Sequence, residues 1–353
     1  MTRTGSRRLI PPAQPVAASL KASLVEHQLR AEVANAQEQL RGIKRVNKHL
    51  GRELRLAEDR FQALLALDGA QPATRFRLHA HRKTSESVAC VQLTDWHIEE
   101  RVRAASVNGL NRFDLRVAEQ RVARLADKIP YLLKLNRAGT RIDTLVLQLG
   151  GDFMTGFIHM ELIESNTLHP VQAVLWLFDH LCGLLEHLLA HSGCPQIICC
   201  CNVGNHGRTT EKKRISTRVE NSYEWLLYRI LAKKFPQIEW RVADGQFVYL
   251  SVFGALWRFQ HGDDIKYQGG VGGISIPVNK AIAQWDKTRR ADFDFFGHWH
   301  QSLFTRKWAC NGSLIGYSAH SLAIKAEFEA PAQNFILWEK DHGRTAIWPI
   351  FLA

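Results

Sequence analysis

From residue 29 to residue 64 apolar side chains recur at alternating steps of four and three: Leu29, Val33, Ala36, Leu40, Ile43, Leu50, Leu54, Ala57, Phe61 and Leu64, with Asn47 the one polar member of the series. This is the seam of a coiled-coil helix, and Asn47 falls at an a position, where a buried amide pair favours a parallel dimer. The pattern predicts a helix over 20–68 and a homodimer through 29–64. Gly42 and Gly51 each cost about 1 kcal/mol of helix propensity, and Glu53 would face Glu58 of the second copy, so a helix folded back on the rest of the chain is the competing arrangement. Before it, residues 1–19 have no hydrophobic period and read as a flexible basic tail; after it, 69–87 read as a basic linker.

A different rhythm begins at residue 88. Apolar runs of strand length recur at 88–93, 143–149, 196–201, 246–253, 255–259, 293–296 and 334–338, and helical periods occupy 114–135, 170–190 and 219–235. Strands alternating with helices predict an α/β domain over 88–353. The later strands, with short turns between them, are expected to form a second, partly antiparallel sheet, giving a two-sheet β-sandwich flanked by helices.

Composition narrows the setting. Apolar residues make up 46% of the chain, enough for a large core. No uninterrupted apolar run reaches the ~20 residues of a membrane span, and the basic start is not followed by a signal-peptide core, so the reading is cytoplasmic with no membrane partner. The cysteines number seven, three of them adjacent at 199–201, and are expected to be buried free thiols. Charge is uneven: residues 1–84 hold 16 Lys+Arg against 7 Asp+Glu, most of the net +12. A basic appendage on a nearly neutral body suits a polyanion such as nucleic acid, and equally a solvated charged helix.

The candidate chemistry lies at strand ends. The first strand runs into Asp95-Trp96-His97; in an extended segment the two outer side chains would share a side and Trp96 would pack the other way. The second runs into Gly150-Gly151-Asp152, where the glycines are expected to leave room for ions and a phosphate beside a carboxylate able to serve two cations. The third runs into Asn202-Val203-Gly204-Asn205-His206-Gly207, and two later strands end in Gln260-His261-Gly262-Asp263 and Gly297-His298-Trp299-His300. His159, His169, His180, His187 and His191 lie outside these motifs and are read as structural.

In this order the segments Asp-x-His, Gly-Asp, Gly-Asn-His, a lone His and Gly-His-x-His resemble the calcineurin-like metallophosphoesterase superfamily, over about two thirds of the chain. The resemblance implies four layers, αββα, and two divalent ions, with Mn expected and Fe or Zn also suited to oxygen and imidazole ligands. It implies that Asp95, His97, Asp152 and His300 hold one ion and Asp152, Asn205, His261 and His298 the other, with His206 off the metals and facing the leaving group. Such a pair of ions some 3.5 to 4 Å apart activates water for attack on phosphorus. One departure stands out: the superfamily usually has Asp or Glu directly after Gly-Asn-His to fix that loop, and here the residue is Gly207.

After His206 come Arg208, Lys212, Lys213, Arg214 and Arg218, five basic residues in eleven positions, which with Arg112 are candidates for binding neighbouring phosphates. The two-metal site with this basic surround and the N-terminal extension looks most like the nuclease branch, including SbcD-type nucleases, and 204–214 with 311–316 is similar to what phage-encoded members carry, implying a DNA phosphodiesterase in a bacterial host, with a partner ATPase left open. The alternatives are a phosphomonoesterase or small-molecule phosphodiesterase of the same fold, and a nucleic-acid-binding or assembly protein working through the coiled coil. The glycine-rich stretch 269–273 lacks Walker spacing and is expected to be a mobile loop near His261.

Overall fold

The structure is a computed structural model that describes residues 16–68, 85–266 and 273–353. Of the sequence expectations, the tail as far as residue 15, the linker over 69–84 and the glycine-rich stretch as far as residue 272 lie outside the described residues. The chain forms two compact units, Met1–Ala80 and His81–Ala353.

The described residues of the first unit form one helix, α1 (Val16–Asp68), of 53 residues and therefore about 80 Å long. Gly42 and Gly51 are accommodated within it. The apolar seam faces solvent: Leu29, Val33, Leu40, Ile43, Leu50, Leu54, Phe61 and Leu64 are between 52% and 64% exposed.

In the second unit, β1 (Ser85–Leu93), β2 (Thr140–Leu149), β3 (Gln196–Cys201) and β4 (Glu239–Val242) run parallel, and β10 (Ala332–Glu339) and β11 (Gly343–Phe351) add antiparallel beyond β1, giving the order β11-β10-β1-β2-β3-β4. The second sheet has the order β5-β6-β7-β9-β8, built from β5 (Val248–Val252), β6 (Ala255–Phe259), β7 (Phe293–Phe296), β8 (Leu303–Phe304) and β9 (Trp308–Cys310). Its three inner strands are parallel and only β5 and β8 are antiparallel. The stretch 334–338, expected there, belongs to the first sheet. The reason is its two-sided burial: Phe335 and Leu337 pack with the helices, Ile336 and Trp338 with the other sheet, as only a central strand allows.

Alternation builds the layers. Ala89, Val91 and Leu93 of β1 turn towards α2 (Leu115–Asn136), α4 (Pro170–His191) and α5 (Tyr223–Lys234), the short α3 (Met160–Ser165) preceding α4 in the chain, while Val88 and Cys90 turn towards Trp257, Phe259 and Phe295 of the second sheet. On the far side of that sheet Phe296, Trp308 and Cys310 pack on Val278 and Ile282 of α6 (Ser275–Trp285). Helix, sheet, sheet, helix is the expected αββα order. Helix α4 is, among the described helices, the one long and apolar enough to cross a membrane by length and composition, though Asp179 and Glu186 interrupt it. Its inner face, including Leu177, Leu181 and Leu188, is part of the core. All seven cysteines are free and buried, Cys199, Cys200 and Cys201 in β3.

Near the carboxyl ends of the strands the filling between the sheets becomes polar. Gln92 Nε2 donates to Gln148 Oε1 at 2.9 Å and to the carbonyl of Phe296 at 3.3 Å, while Gln148 Nε2 donates to the carbonyls of Gln260 and Phe295. This network locks β1 and β2 to β6 and β7 directly beneath the loops that carry the motifs.

Candidate metal centre

Because β1, β2 and β3 are parallel, as are β6 and β7, all five motifs emerge where strand carboxyl ends meet, the usual place for ligand chemistry in such folds. The loops are bonded to one another: Asp95 N donates to Gly151 O at 3.0 Å, His97 N to Asp152 O at 3.1 Å and Gly297 N to His261 O at 2.8 Å. Asp95 Oδ2 receives His298 N at 2.9 Å.

Two ligand groups result. Donor atoms of Asp95, His97 and His300 lie within 4.8 Å of one another, and so do those of Asp152, His261 and His298. Asp95, His97, Asp152, His298 and His300 all have left-handed backbones, with φ of 58°, 47°, 53°, 70° and 54°. That conformation costs about 1–2 kcal/mol per non-glycine residue, so the surrounding fold imposes it. It also corrects the expectation for Asp95-Trp96-His97: the two ligands share a side because both turn left-handed, not because the segment is extended. Trp96 does pack away, edge-on to Phe153 with ring centroids 4.7 Å apart.

The glycines have a different use from the one expected. A Cβ on Gly150 would overlap Thr94 Cγ2, one on Gly151 the backbone nitrogen of Gly204, and one on Gly204 the Asp152 carboxylate. They admit neighbouring loops rather than ions, and bring the loop that carries Asn205 against Asp152.

The donors suit cations. Asn205 Oδ1 is a buried atom without a hydrogen-bond partner, a costly state for a polar group, while Asp95 Oδ1 and His261 Nε2 face only other candidate ligands, His300 Nε2 at 3.5 Å and Asp152 Oδ2 at 2.9 Å. His261 Nδ1 is 2.8 Å from the carbonyl of Gly150, which can only accept, so Nδ1 carries a proton and Nε2, 2.9 Å from Asp152 Oδ2, is left to bear a second proton or to meet a cation. At that distance a positive charge lies between the two atoms, a proton on Nε2 or a metal ion in its place. The field agrees: burial opposes charge on His261, yet the carboxylates of Asp152, Asp95 and Asp263 raise it to about 10. Burial likewise opposes charge on Asp152 and Asp95, but His261 and His206 hold the former well below the ordinary carboxylate value and His300 lowers the latter. Burial, then neighbouring His206, keeps His97 well below its usual value; burial, then His261, puts His298 at about 4, so both offer neutral imidazoles.

His206 stands beside these groups, its ring 4.8 Å from that of His97 and perpendicular to it. Its Nδ1 donates to the carbonyl of Thr155 at 2.8 Å, which leaves Nε2 as the working atom. Thr155 was not legible in the sequence. His159, read as structural, has its ring 6.4 Å from that of His206 and borders the site. The largest omission is Glu224 on α5. It is fully buried and receives Phe153 N and Gly204 N, each at 2.7 Å. Its only trace in the sequence is Gly207.

The basic residues divide. Arg208 donates to the carbonyls of Asn205, Thr210 and Glu211, and Lys213 and Arg218 are paired with Asp263 and Asp264. These three therefore shape the loop that was expected to hold phosphates with them. A narrow pocket lined by Gly204, Asn205, Arg208, Arg214 and Ser222 adjoins the ligands. Lys212 and Arg214 are exposed. Arg112 pairs with Asp114, the N-cap residue of α2, at 3.3 Å, and is not brought to the ligands by any described contact.

No family model matches the chain, and no curated protein matches its sequence. Among solved structures, it is similar to Vps29 complexed with zinc from Entamoeba histolytica, at 11% identity and a TM-score of 0.30, covering 74% of this chain and 99% of that one. It is also similar to a conserved uncharacterised protein, a predicted phosphoesterase, from Streptococcus pneumoniae TIGR4, at 9% identity and a TM-score of 0.29, covering 74% and 98%. A hypothetical protein from Pyrococcus horikoshii OT3 matches at 10% identity and a TM-score of 0.37, covering 74% and 87%.

Proposed function

We propose that the protein is a dinuclear metal-dependent phosphoesterase of the calcineurin-like type that hydrolyses phosphodiesters, DNA first among them. The observation that carries this reading is the pair of residue groups, Asp95–His97–His300 and Asp152–His261–His298, with the buried, unpartnered Oδ1 of Asn205 on the loop beside Asp152. Asp95, His97, Asp152 and His300 would hold one ion, and Asp152, Asn205, His261 and His298 the other. Bound divalent ions would acidify water, polarise the phosphoryl oxygens and offset the charge that develops in an in-line displacement. The donor set admits Mn, Fe or Zn.

The chain's own part is positional. Asp152 orients His206 by accepting its backbone N–H, and Thr155 fixes the ring, so that His206 Nε2 can hold or deliver a proton at the departing oxygen. Lys212 and Arg214 are the cations available to flanking phosphates. A second reading, a phosphomonoesterase or small-molecule phosphodiesterase, is favoured by one observation: Arg208, Lys213 and Arg218 are already engaged within the protein.

Purified protein with Mn, assayed on single- and double-stranded DNA, RNA, a diester dye and a monoester dye, separates the two. DNA cleavage that disappears in Asp95→Ala is the expected result. Monoester hydrolysis with no nucleic-acid cleavage would select the second reading, and inactivity on every ester would remove both.

A further inference from the structure

Glu224 sits in the first turn of α5, after the N-cap residue Ser222, yet its side chain is fully buried. A carboxylate in such a place needs partners, and it has two. Oε1 receives the N–H of Phe153, the residue after Asp152, and Oε2 receives the N–H of Gly204, the residue before Asn205, each at 2.7 Å. Both of its oxygens thus bind backbone, one in each of the loops that carry the candidate ligands Asp152 and Asn205. One side chain thus ties together two loops that share no strand pairing at that point.

Space has been made for it. Tyr223 N donates to the carbonyl of Gly207 at 2.9 Å, which seats the start of α5 against the Asn205 loop. A Cβ on Gly207 would stand 2.7 Å from Glu224 Cγ and 2.8 Å from Cδ. The backbone of Gly207 is not left-handed, so the requirement for glycine comes from the Glu224 side chain and not from conformation.

We infer that Glu224 is a positioning residue of the metal centre, whose carboxylate sets the spacing of the Asp152 and Asn205 loops, and that Gly207 is glycine in order to admit it. The geometry makes the two positions interchangeable. With Glu224 cut back to alanine, a side chain at 207 points into the volume the carboxylate has left, so an aspartate there can take up the same two N–H groups.

The inference rests on the metal-centre reading, and Mn titration by calorimetry, with thermal unfolding in parallel, tests the two separately. Glu224→Gln keeps one acceptor but turns an amide N–H towards the other donor, and is expected to lower Mn affinity about 10- to 100-fold, the range seen when outer partners of metal ligands are removed. Glu224→Ala is expected to lose at least as much, and Glu224→Ala with Gly207→Asp to recover most of it, whereas Gly207→Asp alone, with Glu224 in place, is expected to impair binding. Wild-type affinity in Glu224→Gln, with only the melting temperature reduced, would overturn the inference, as would a double variant no better than Glu224→Ala. A wild-type protein that takes up no divalent ion would instead overturn the metal-centre reading beneath it.

Discussion

The backbone N–H of His206 donates to Oδ1 of Asp152 at 2.8 Å, so one carboxylate oxygen fixes the loop that bears the candidate proton donor. The other oxygen lies 2.9 Å from His261 Nε2. A single side chain therefore joins the candidate ligands to the residue proposed to act on the leaving group.

Asp152→Asn tests that junction. The amide oxygen can still accept from His206, but the amide nitrogen would donate to His261 Nε2 and occupy the lone pair a cation needs. Mn affinity is expected to fall by more than about 100-fold, beyond the effect of an outer partner. Folding should be retained, and calorimetry with circular dichroism checks both; full Mn binding by the variant would remove Asp152 from the ligand set.

Gly151→Ala tests the loop contact without touching a ligand. At φ +89° an alanine is strained, and its Cβ would overlap the backbone nitrogen of Gly204. A loss of about 2 kcal/mol or more in urea unfolding is expected, from left-handed strain of about 1–2 kcal/mol plus separation of the loops. Gly183→Ala is the control: this glycine lies in α4 with open space around its missing Cβ, so a gain of about 0.5–1 kcal/mol is expected.

These glycines also mark how far the sequence could be read. The convergence of the candidate ligands was legible because each follows a strand of clear apolar pattern, and parallel strands must end together. Their left-handed backbones were not, since contacts between loops distant in sequence impose them. Glu224 was hidden for the same reason: a helix-start glutamate looks solvent-exposed until the Phe153 and Gly204 amides are seen to converge on it. The strand Trp308–Cys310 is too short to give a pattern, and Ala332–Glu339 has the apolar run of a buried strand but nothing local to choose its sheet. The charge of Arg208, Lys213 and Arg218 was visible, whereas their internal partners depend on the tertiary fold.

Between the second sheet and α6, Arg258 is fully buried and binds Asp294 twice, Nε to Oδ1 at 2.6 Å and Nη2 to Oδ2 at 3.0 Å. Asp294→Ala leaves a buried guanidinium without its main partner and is expected to cost about 3–5 kcal/mol. Arg258→Met with Asp294→Leu removes both charges and should regain most of that loss. Equal destabilisation by the single and double changes in urea titrations would mean that packing, and not charge, dominates at this position.

Asp263 holds the basic loop by pairing with Lys213 at 2.6 Å and Arg218 at 2.9 Å. Burial works against its charge, but His261, Arg218 and Lys213 lower it from the ordinary 3.8 to about 2. The sign follows from linkage: a depressed carboxylate gives stability that is fully present above pH 3.8 and lost as pH falls through about 2. Asp263→Asn should flatten the acid limb of the stability curve in that window. At neutral pH it should also speed tryptic cleavage at Lys212, Lys213 and Arg214, and an unchanged cleavage rate would show the loop to be held by other contacts.

Helix α1 carries its own prediction. Eight apolar residues on the 29–64 seam are at least 52% exposed, and such a stripe on a helix about 80 Å long is costly to leave in water. We propose a second copy of the chain as its partner, because the seam keeps heptad spacing throughout and Asn47 at an a position can pair only with itself in a parallel, in-register dimer. Light scattering should give a dimer for the full chain and a monomer after removal of residues 1–72. Asn47→Leu is expected to strengthen association while relaxing its stoichiometry, since the buried amide trades stability for register. Removing residues 1–72 also takes away 12 Lys+Arg against 7 Asp+Glu, net +5 of the +12, so DNA binding should weaken and its salt dependence become shallower. A full-length monomer at micromolar concentration would refute the dimer, and an unaltered salt slope would move the nucleic-acid contacts to the second unit.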